Sequence, residues 1–179
     1  MKTIIFFICT LFCAISLYAQ NYYYSTTKTF NESGYTYQCD VRGSKMATIY
    51  NSSNKWIYTY PVYKNTGEDF VQTDEGIDLL ENDNWTNAKC ESIVNDALSA
   101  SEKQRVKGDM LTIIMYINSS TGKVDEVSFE FHSRDPFATI PISVYRKIEN
   151  EIKKNIWFTL TAEGKSLNYI FFWRTFEPK

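Results

Sequence analysis

Alternating apolar and polar positions predict a β-hairpin within residues 111–133. Apolar side chains recur at every second position in two runs: Leu111, Ile113, Met115, Ile117, and then Val127, Phe129, Phe131. Strict alternation is typical of a strand with one buried face. Between the runs, the sequence SSTGK around Gly122 has the composition of a tight turn. The pattern predicts two antiparallel strands that share one apolar face.

The first half of the chain, residues 20–84, is β-rich by the same criterion. The segment YTYQCDV, residues 35–41, alternates, and the segments ATIYN and KWIYTYPVY flank NSSNK. The segment NSSNK is therefore predicted to be a hairpin loop between two strands. Pro61 lacks a backbone N–H, so the second of these strands is predicted to lie at a sheet edge or to end nearby.

Two amphipathic helices are predicted in the second half, at residues 85–105 and 140–157. Apolar residues follow helical spacing in both: Cys90, Ile93, Val94, Ala97, Leu98 in the first, and Ile140, Val144, Ile148, Ile152, Ile156 in the second. Glu149 and Lys153 are spaced as an i, i+4 ion pair on the polar side. The sequence AEGK predicts a turn before the last strand, SLNYIFFWRTF, which is apolar on both faces.

This order of elements predicts an α+β fold with an antiparallel sheet and two helices packed on one of its faces. Residues 20–179 are long enough for one domain with a sizeable core. Within that domain, residues 20–84 form the β-rich part and residues 85–179 form a helix–hairpin–helix–strand unit.

The N-terminus has the pattern of a signal peptide, residues 1–19. Lys2 precedes the apolar run IIFFICTLFCAISL at residues 4–17, and Ala19 supplies a small residue before the cleavage point. The run is shorter than the ~20 residues that a membrane span needs, and bulky residues before Cys9 and Cys13 disfavour lipidation. We therefore expect a small secreted protein of a Gram-negative type. It would keep no membrane anchor and would reside in the periplasm, on the cell surface or outside the cell.

Composition narrows the classes of function. The formal net charge is −2, without a clustered basic surface, which disfavours nucleic-acid binding. Residues 66–84 are acidic and contain no Lys or Arg. Their acidic residues do not follow the spacing of a calcium loop, so we expect a solvated loop there and no metal site.

Two cysteines, Cys39 and Cys90, remain after the predicted cleavage. Both are placed on core-facing positions of their elements, and an oxidising compartment would allow a disulfide between them. Two buried free thiols are the alternative, because spacing along the chain does not determine the distance between the two residues.

Residues 93–176 resemble the C-terminal domain of TonB-like proteins. The matching features are Gly108, Gly122, a helix that ends in Trp157-Phe158, the Gly164-Lys165 turn and a final strand that ends in Phe176. The prolines that the family places after the helix and after Gly-Lys are absent here. The resemblance implies the fold of this half and binding through a sheet edge; it implies no catalytic residue.

Candidates for catalysis are few. His132 is the only histidine, and alternation places it beside Glu126 and Glu130 on the strand face opposite the core. Asp125 and Glu126 could form an acid pair of the glycosidase type, but such a pair needs a cleft between its carboxylates. We predict no catalytic residue, no cofactor and a non-enzymatic protein, with a small hydrolase as an alternative.

Binding is the predicted activity. The first hypothesis is an envelope protein or peptide that adds to the edge of the last strand, through Leu167, Tyr169, Ile170, Phe171 and Trp173. The second is a carbohydrate that stacks on aromatic rings of the N-terminal half, namely Tyr22, Tyr23, Tyr24 and Trp56. A homo-oligomer is compatible with both hypotheses.

Overall fold

The fold is built on a six-stranded antiparallel sheet. The computed structural model describes residues 22–71 and 78–179, so the predicted signal peptide and the middle of the acidic loop lie outside the described residues. The strands are β1 (Lys28–Glu32), β2 (Tyr35–Val41), β3 (Met46–Asn51), β4 (Leu111–Asn118), β5 (Val124–His132) and β6 (Tyr169–Phe176). Their order in the sheet is β1-β2-β3-β5-β4-β6. The α+β prediction is confirmed.

Four α-helices accompany the sheet in the described residues: α1 (Asn84–Ala97), α2 (Ala100–Arg105), α3 (Ile142–Asn155) and α4 (Ala162–Ser166). A 3-10 turn at Pro136–Thr139 precedes α3. The predicted single helix over 85–105 is wrong, because the chain is extended at Leu98 and Ser99 and a new helix begins there. The Ser99 hydroxyl accepts from the Glu102 N–H, and the Glu102 carboxylate accepts from the Ser99 N–H, which is a capping box.

The core lies between one face of the sheet and the helices α1 and α3. Alternate strand residues supply one side of it, including Cys39, Ile49, Ile113, Met115 and Phe129, and the helices supply Ile93, Val94, Ile148 and Ile152. This arrangement confirms the strand alternation and the apolar stripes read from the sequence. Both long helices therefore pack on the same face of the sheet, as predicted.

Glu149 departs from its predicted place on the polar side of α3. Its side chain is buried against β2, where its carboxylate accepts a hydrogen bond from the Tyr37 hydroxyl. The Arg146 Nη1 atom lies 3.3 Å from the same carboxylate oxygen, and the Lys153 ammonium lies 3.7 Å from the other. The predicted pair with Lys153 is present, but Glu149 joins α3 to the sheet instead of facing solvent.

The predicted hairpin around NSSNK is wrong. Strand β3 pairs with β2 on one side and with β5 on the other, so no place next to it is free for residues 55–63. The chain instead turns after Asn51 and crosses the sheet face opposite the helices. There, Trp56 and Ile57 pack against Ile114, Tyr116 and Tyr169.

The predicted disulfide between Cys39 and Cys90 is not formed. Both are free, buried thiols, and burial raises the pKa of each to about 12. Cys39 lies on β2, whereas Cys90 on α1 lies near Arg174 of β6. Four strand spacings separate β2 from β6, which amounts to ~19 Å at ~4.8 Å each. That separation is well beyond the reach of a disulfide.

Candidate functional site

The last strand, β6, lies at an edge of the sheet and pairs only with β4 among the described strands. Its eight residues pair with β4 without a register shift, from Leu111↔Phe176 to Asn118↔Tyr169. The edge position proposed for this strand is therefore present in the fold.

The alternation of hydrogen bonds identifies the free backbone groups. Asn118 of β4 donates its N–H to the Lys123 carbonyl on the β5 side, so its odd-numbered neighbours in β4 point to β6. With the observed register, Ile170, Phe172, Arg174 and Phe176 then bond to β4. The N–H and C=O groups of Phe171, Trp173 and Thr175 point away from the sheet. Within residues 22–71 and 78–179, no backbone hydrogen bond from a loop or turn reaches those three residues.

The two edges of the sheet differ in character. The edge strand β1 has five residues, KTFNE, and carries a charge at each end. Short, charged edges resist the pairing of another strand. The edge strand β6 has the sequence YIFFWRTF, in which Arg174 is the only charged residue. Since long, flat, apolar edges favour strand addition, β6 is the better acceptor.

Side chains on β6 divide between packing and exposure. Of the five predicted binding residues, Leu167, Tyr169 and Ile170 are buried and hold the strand in place. Phe171 is 40% exposed and Trp173 is 59% exposed, both on the face opposite the helices. Only these two of the five can offer a side chain to a partner.

Two adjacent grooves border the free edge. Residues 62–69 form a short hairpin, closed by the bridge Val62↔Asp69. The hairpin groove beside it has a volume of about 440 Å³ and is lined by Thr59, Tyr60, Pro61, Asp69, Phe70, Val71, Leu79 and Phe171. The edge groove has a volume of about 370 Å³ and is lined by residues 78–80 and by Ile170, Phe171, Phe172 and Trp173. Neither groove has a signal in the sequence, because their walls come from segments about ninety residues or more apart.

The aromatic residues proposed for sugar binding are mostly used in packing. Tyr24 is fully buried, and its hydroxyl donates to the Ile140 carbonyl at 3.0 Å. Trp56 stacks on Tyr169 with ring centroids 4.7 Å apart. Tyr22 is 40% exposed and Tyr23 is 38% exposed, and the Tyr23 ring packs edge-on against Tyr24. The structure does not bring these four residues together into one binding surface.

A second cluster of tyrosines was missed by sequence reasoning. The Asp40 carboxylate accepts from the Tyr50 hydroxyl at 2.7 Å and from the Tyr58 hydroxyl at 3.1 Å. Although burial opposes it, these hydrogen bonds and one from Gln38 hold the pKa of Asp40 below its usual value. Arg42 covers the Tyr58 ring at 4.4 Å. Most of these polar groups are satisfied by one another.

The described polar contacts of the His132 side chain are local and lie within residues 132–135. Its Nδ1 atom accepts from the Arg134 N–H at 3.3 Å and lies 3.8 Å from the Asp135 carboxylate. In the part of the chain that the structure describes, no group of His, Cys, Asp and Glu is placed to hold a metal ion. Among the same residues, no helix has the length and apolarity to cross a membrane.

The prediction that Glu126 lies on an exposed face of β5 is wrong. It is buried rather than solvated, because residues 52–60 fold over it. Its carboxylate accepts from the Lys55 N–H at 2.8 Å and from the Trp56 N–H at 3.1 Å. Asp125 instead accepts from the Asn118 amide at 2.9 Å. Both acids line one small pocket of about 250 Å³, together with residues 53–56 and Lys153. Each carboxylate is nevertheless engaged with its own structural partners.

We expect Glu126→Ala to loosen the segment that covers this face. Two backbone N–H groups would lose their acceptor, at a cost of about 1–3 kcal/mol of unfolding free energy. Trp56 would leave its stack on Tyr169, so tryptophan fluorescence should shift to longer wavelength before global unfolding. Asp125→Ala is the matched control and should leave the fluorescence unchanged. An unchanged spectrum in Glu126→Ala would show that the carboxylate does not hold the segment.

Comparisons with known proteins agree with this fold. The profile of a domain of unknown function, DUF5043, matches residues 20–173. The chain is similar to a solved structure, described as the crystal structure of a DUF5043 family protein from Bacteroides uniformis. The identity is 37%, the match covers 88% of this chain and 95% of that one, and the TM-score is 0.82.

A comparison with curated proteins gave no match. The resemblance to TonB C-terminal domains is not confirmed by the family or by the solved structure. The order of helix, hairpin, helix and strand is present, but it does not identify that family. The chain belongs to the DUF5043 family, whose function is unknown.

Proposed function

We propose that the protein is a non-catalytic binding module that accepts an extended protein or peptide segment as an additional strand on β6. The observation that carries this proposal is the edge at Phe171, Trp173 and Thr175, whose outward backbone groups pair with no described strand, loop or turn. The edge offers up to three N–H and three C=O groups in strand spacing. An incoming segment would continue the sheet with a ladder of main-chain hydrogen bonds, which is the usual source of affinity in strand addition.

The position of the edge groove supports the same function. A seventh strand would lie about 4.8 Å from β6, in the space between β6 and residues 78–80 that this groove occupies. Leu79 and Leu80 would then contact the added backbone from the far side. Phe171 and Trp173 would supply apolar cross-strand contacts on the face opposite the helices.

Export supports an envelope partner. The N-terminal pattern of Lys2, an apolar run and Ala19 favours secretion across the inner membrane. The partner would then be an envelope protein or a peptide in the periplasm, at the cell surface or outside the cell. A second copy of this chain is the alternative occupant of the same edge.

The alternatives have less support. Sugar binding would rest on Tyr22 and Tyr23 alone, since Tyr24 and Trp56 are committed to packing. Hydrolysis would need a nucleophile and base within hydrogen-bond reach, and among the described residues His132 contacts only the Arg134 N–H and Asp135 through its side chain.

The proposal is tested with random peptides displayed on phage and panned on the purified protein. Peptides enriched by the wild type should bind Trp173→Pro about tenfold or more weakly than Trp173→Val, because proline removes the outward N–H that the ladder needs. Both variants lose the indole, so their difference reports the backbone alone. Proline is tolerated at an edge position whose N–H faces outward.

Urea unfolding of both variants verifies that they remain folded. Equal binding by the two folded variants would show that the edge backbone is not used. A failure to enrich any peptide would count against a peptide-binding function. A concentration-dependent dimer that is lost only in Trp173→Pro would instead identify a second copy as the occupant.

A further inference from the structure

The hairpin groove lies where an added strand would end. The chain around Val62 and Tyr63 occupies the outer side of the residues just before β6, through the bridge Tyr63↔Leu167. The Asn168 N–H donates to the Val62 carbonyl at 3.0 Å. This short pairing takes the edge position ahead of β6. A segment added along Phe171 to Thr175 would therefore run in line with it and meet residues 59–71 at one end.

Pairing geometry directs one side chain of the added segment into the hairpin groove. Residues directly opposite each other in neighbouring strands place their side chains on the same face. The residue opposite Phe171 would therefore project on the same side as the Phe171 ring, which lines the hairpin groove together with Tyr60, Phe70 and Val71. The walls of that groove are mainly apolar, and its volume suits one large side chain.

Both grooves carry an exposed carboxylate. Asp69 lines the hairpin groove and Asp78 lines the edge groove. In the described part of the chain, neither one forms an ion pair with Lys, Arg or His. Among the same residues, no lysine or arginine lines either groove. A cationic side chain in the ligand would meet complementary charge at both places.

We propose that the segment accepted by β6 carries one large aliphatic or aromatic residue, seated in the hairpin groove, with a Lys or Arg beside it. This inference rests on the proposed strand addition and names the class of ligand that the edge selects. The ladder of main-chain bonds gives affinity with little sequence preference. The apolar groove and the two aspartates give the specificity.

The test uses the same panned library, read by sequencing. Enriched peptides should share a large apolar residue with a basic neighbour. In a synthetic peptide of that consensus, replacement of the apolar residue by alanine should weaken binding about tenfold or more. Val71→Asp places a charge on the groove wall, at a side chain 70% exposed, and should weaken binding similarly.

The charge contribution is tested by Asp69→Asn and Asp78→Asn, separately and together. Each should weaken binding of the basic peptide about two- to fivefold, as expected for exposed ion pairs. Asp96→Asn on α1, on the other side of the sheet, is the control and should change nothing. Added salt should weaken the binding of the basic peptide to the wild-type protein, because it screens the attraction between the charges.

The outcomes separate this inference from the proposed function. Peptides that lose binding in Trp173→Pro but share no apolar residue, or bind Val71→Asp normally, would overturn the apolar anchor and leave strand addition in place. Unchanged binding to the doubly substituted Asp69→Asn, Asp78→Asn protein would overturn the basic neighbour. Peptides that bind Trp173→Pro and Trp173→Val equally would refute strand addition itself.

Discussion

Replacement of Gly122 by alanine should lower the free energy of unfolding by about 3 kcal/mol or more. Gly122 ends the β4–β5 turn with φ of 71°, in the left-handed region that costs other residues energy. A Cβ there would lie 2.0 Å from the Phe158 carbonyl oxygen. That backbone cannot retreat freely, because the Phe158 N–H is bonded to the Gly122 carbonyl at 2.8 Å.

Two other glycines allow the cost of the positive φ to be separated from the steric cost of the contact with Phe158. Gly108 has φ of 85°, and a Cβ added there would have no neighbour within 4 Å, so Gly108→Ala should show only the conformational cost, about 1–2 kcal/mol. Gly43 has neither a positive φ nor a neighbour within 4 Å, and Gly43→Ala should be close to neutral. Urea unfolding measures the free energy of unfolding of all three variants. A Gly122→Ala protein as stable as Gly108→Ala would show that the approach of Phe158 is not constrained.

Replacement of Glu149 by alanine should cost about 3–5 kcal/mol of unfolding free energy. The carboxylate is buried between Tyr37 and Arg146. Its removal leaves the buried Tyr37 hydroxyl without its acceptor, and it leaves the positive charge of Arg146 with only that hydroxyl as a hydrogen-bond partner in this network. Burial, reinforced by Glu149, raises the pKa of Tyr37 above its ordinary value, so the phenol remains the donor at neutral pH. The loss should be visible as a lower midpoint in urea unfolding at pH 7.

Glu151→Ala is the matched control, because it removes the same side chain from the same helix at a half-buried position. Among the described residues its carboxylate bonds only to Asn155, within α3, so we expect a loss of less than about 1 kcal/mol. A double-mutant cycle with Tyr37→Phe should show coupling, since the two residues share a hydrogen bond. Equal costs for Glu149→Ala and Glu151→Ala would mean that the buried network contributes no net stability.

The spacing of apolar residues predicted the strands and helices wherever one face of an element is buried. Alternation predicted the β4–β5 hairpin, and the stripe around Ile148 and Ile152 predicted α3, because each face meets the same core. The break between α1 and α2 was also present in the sequence. Ser99 and Glu102 have capping-box spacing, but the apolar stripe that continues to Leu98 concealed it.

The crossing segment after Asn51 could not be read in this way. Its aromatic residues alternate like those of a strand, yet β5 arrives from more than seventy residues later and takes the position beside β3. The Lys55 and Trp56 N–H groups of this segment then bond to the Glu126 carboxylate instead of to a neighbouring strand. Local pattern carries no information about a competitor that lies so far along the chain.

The candidate site was predictable in part. The last strand has apolar residues on both faces, and this pattern correctly indicated that both faces make contacts. The burial of its side chains, however, is unequal along the strand. Leu167, Tyr169 and Ile170 are enclosed by the chain around Val62, Thr59 and Leu79, whereas Phe171 and Trp173 extend beyond that cover. The two grooves depend on this difference, which has no signature in the strand itself.

The sequence by itself determined the class of fold, the apolar faces and the absence of a recognisable catalytic motif, because these depend on residue type and local spacing. Tertiary structure decided the order of the strands, and with it the position of β6 at an edge of the sheet. It also decided the separation of Cys39 from Cys90 and the burial of Glu126 and Glu149. These properties depend on which distant segments compete for the same position in space, and spacing along the chain does not measure that competition.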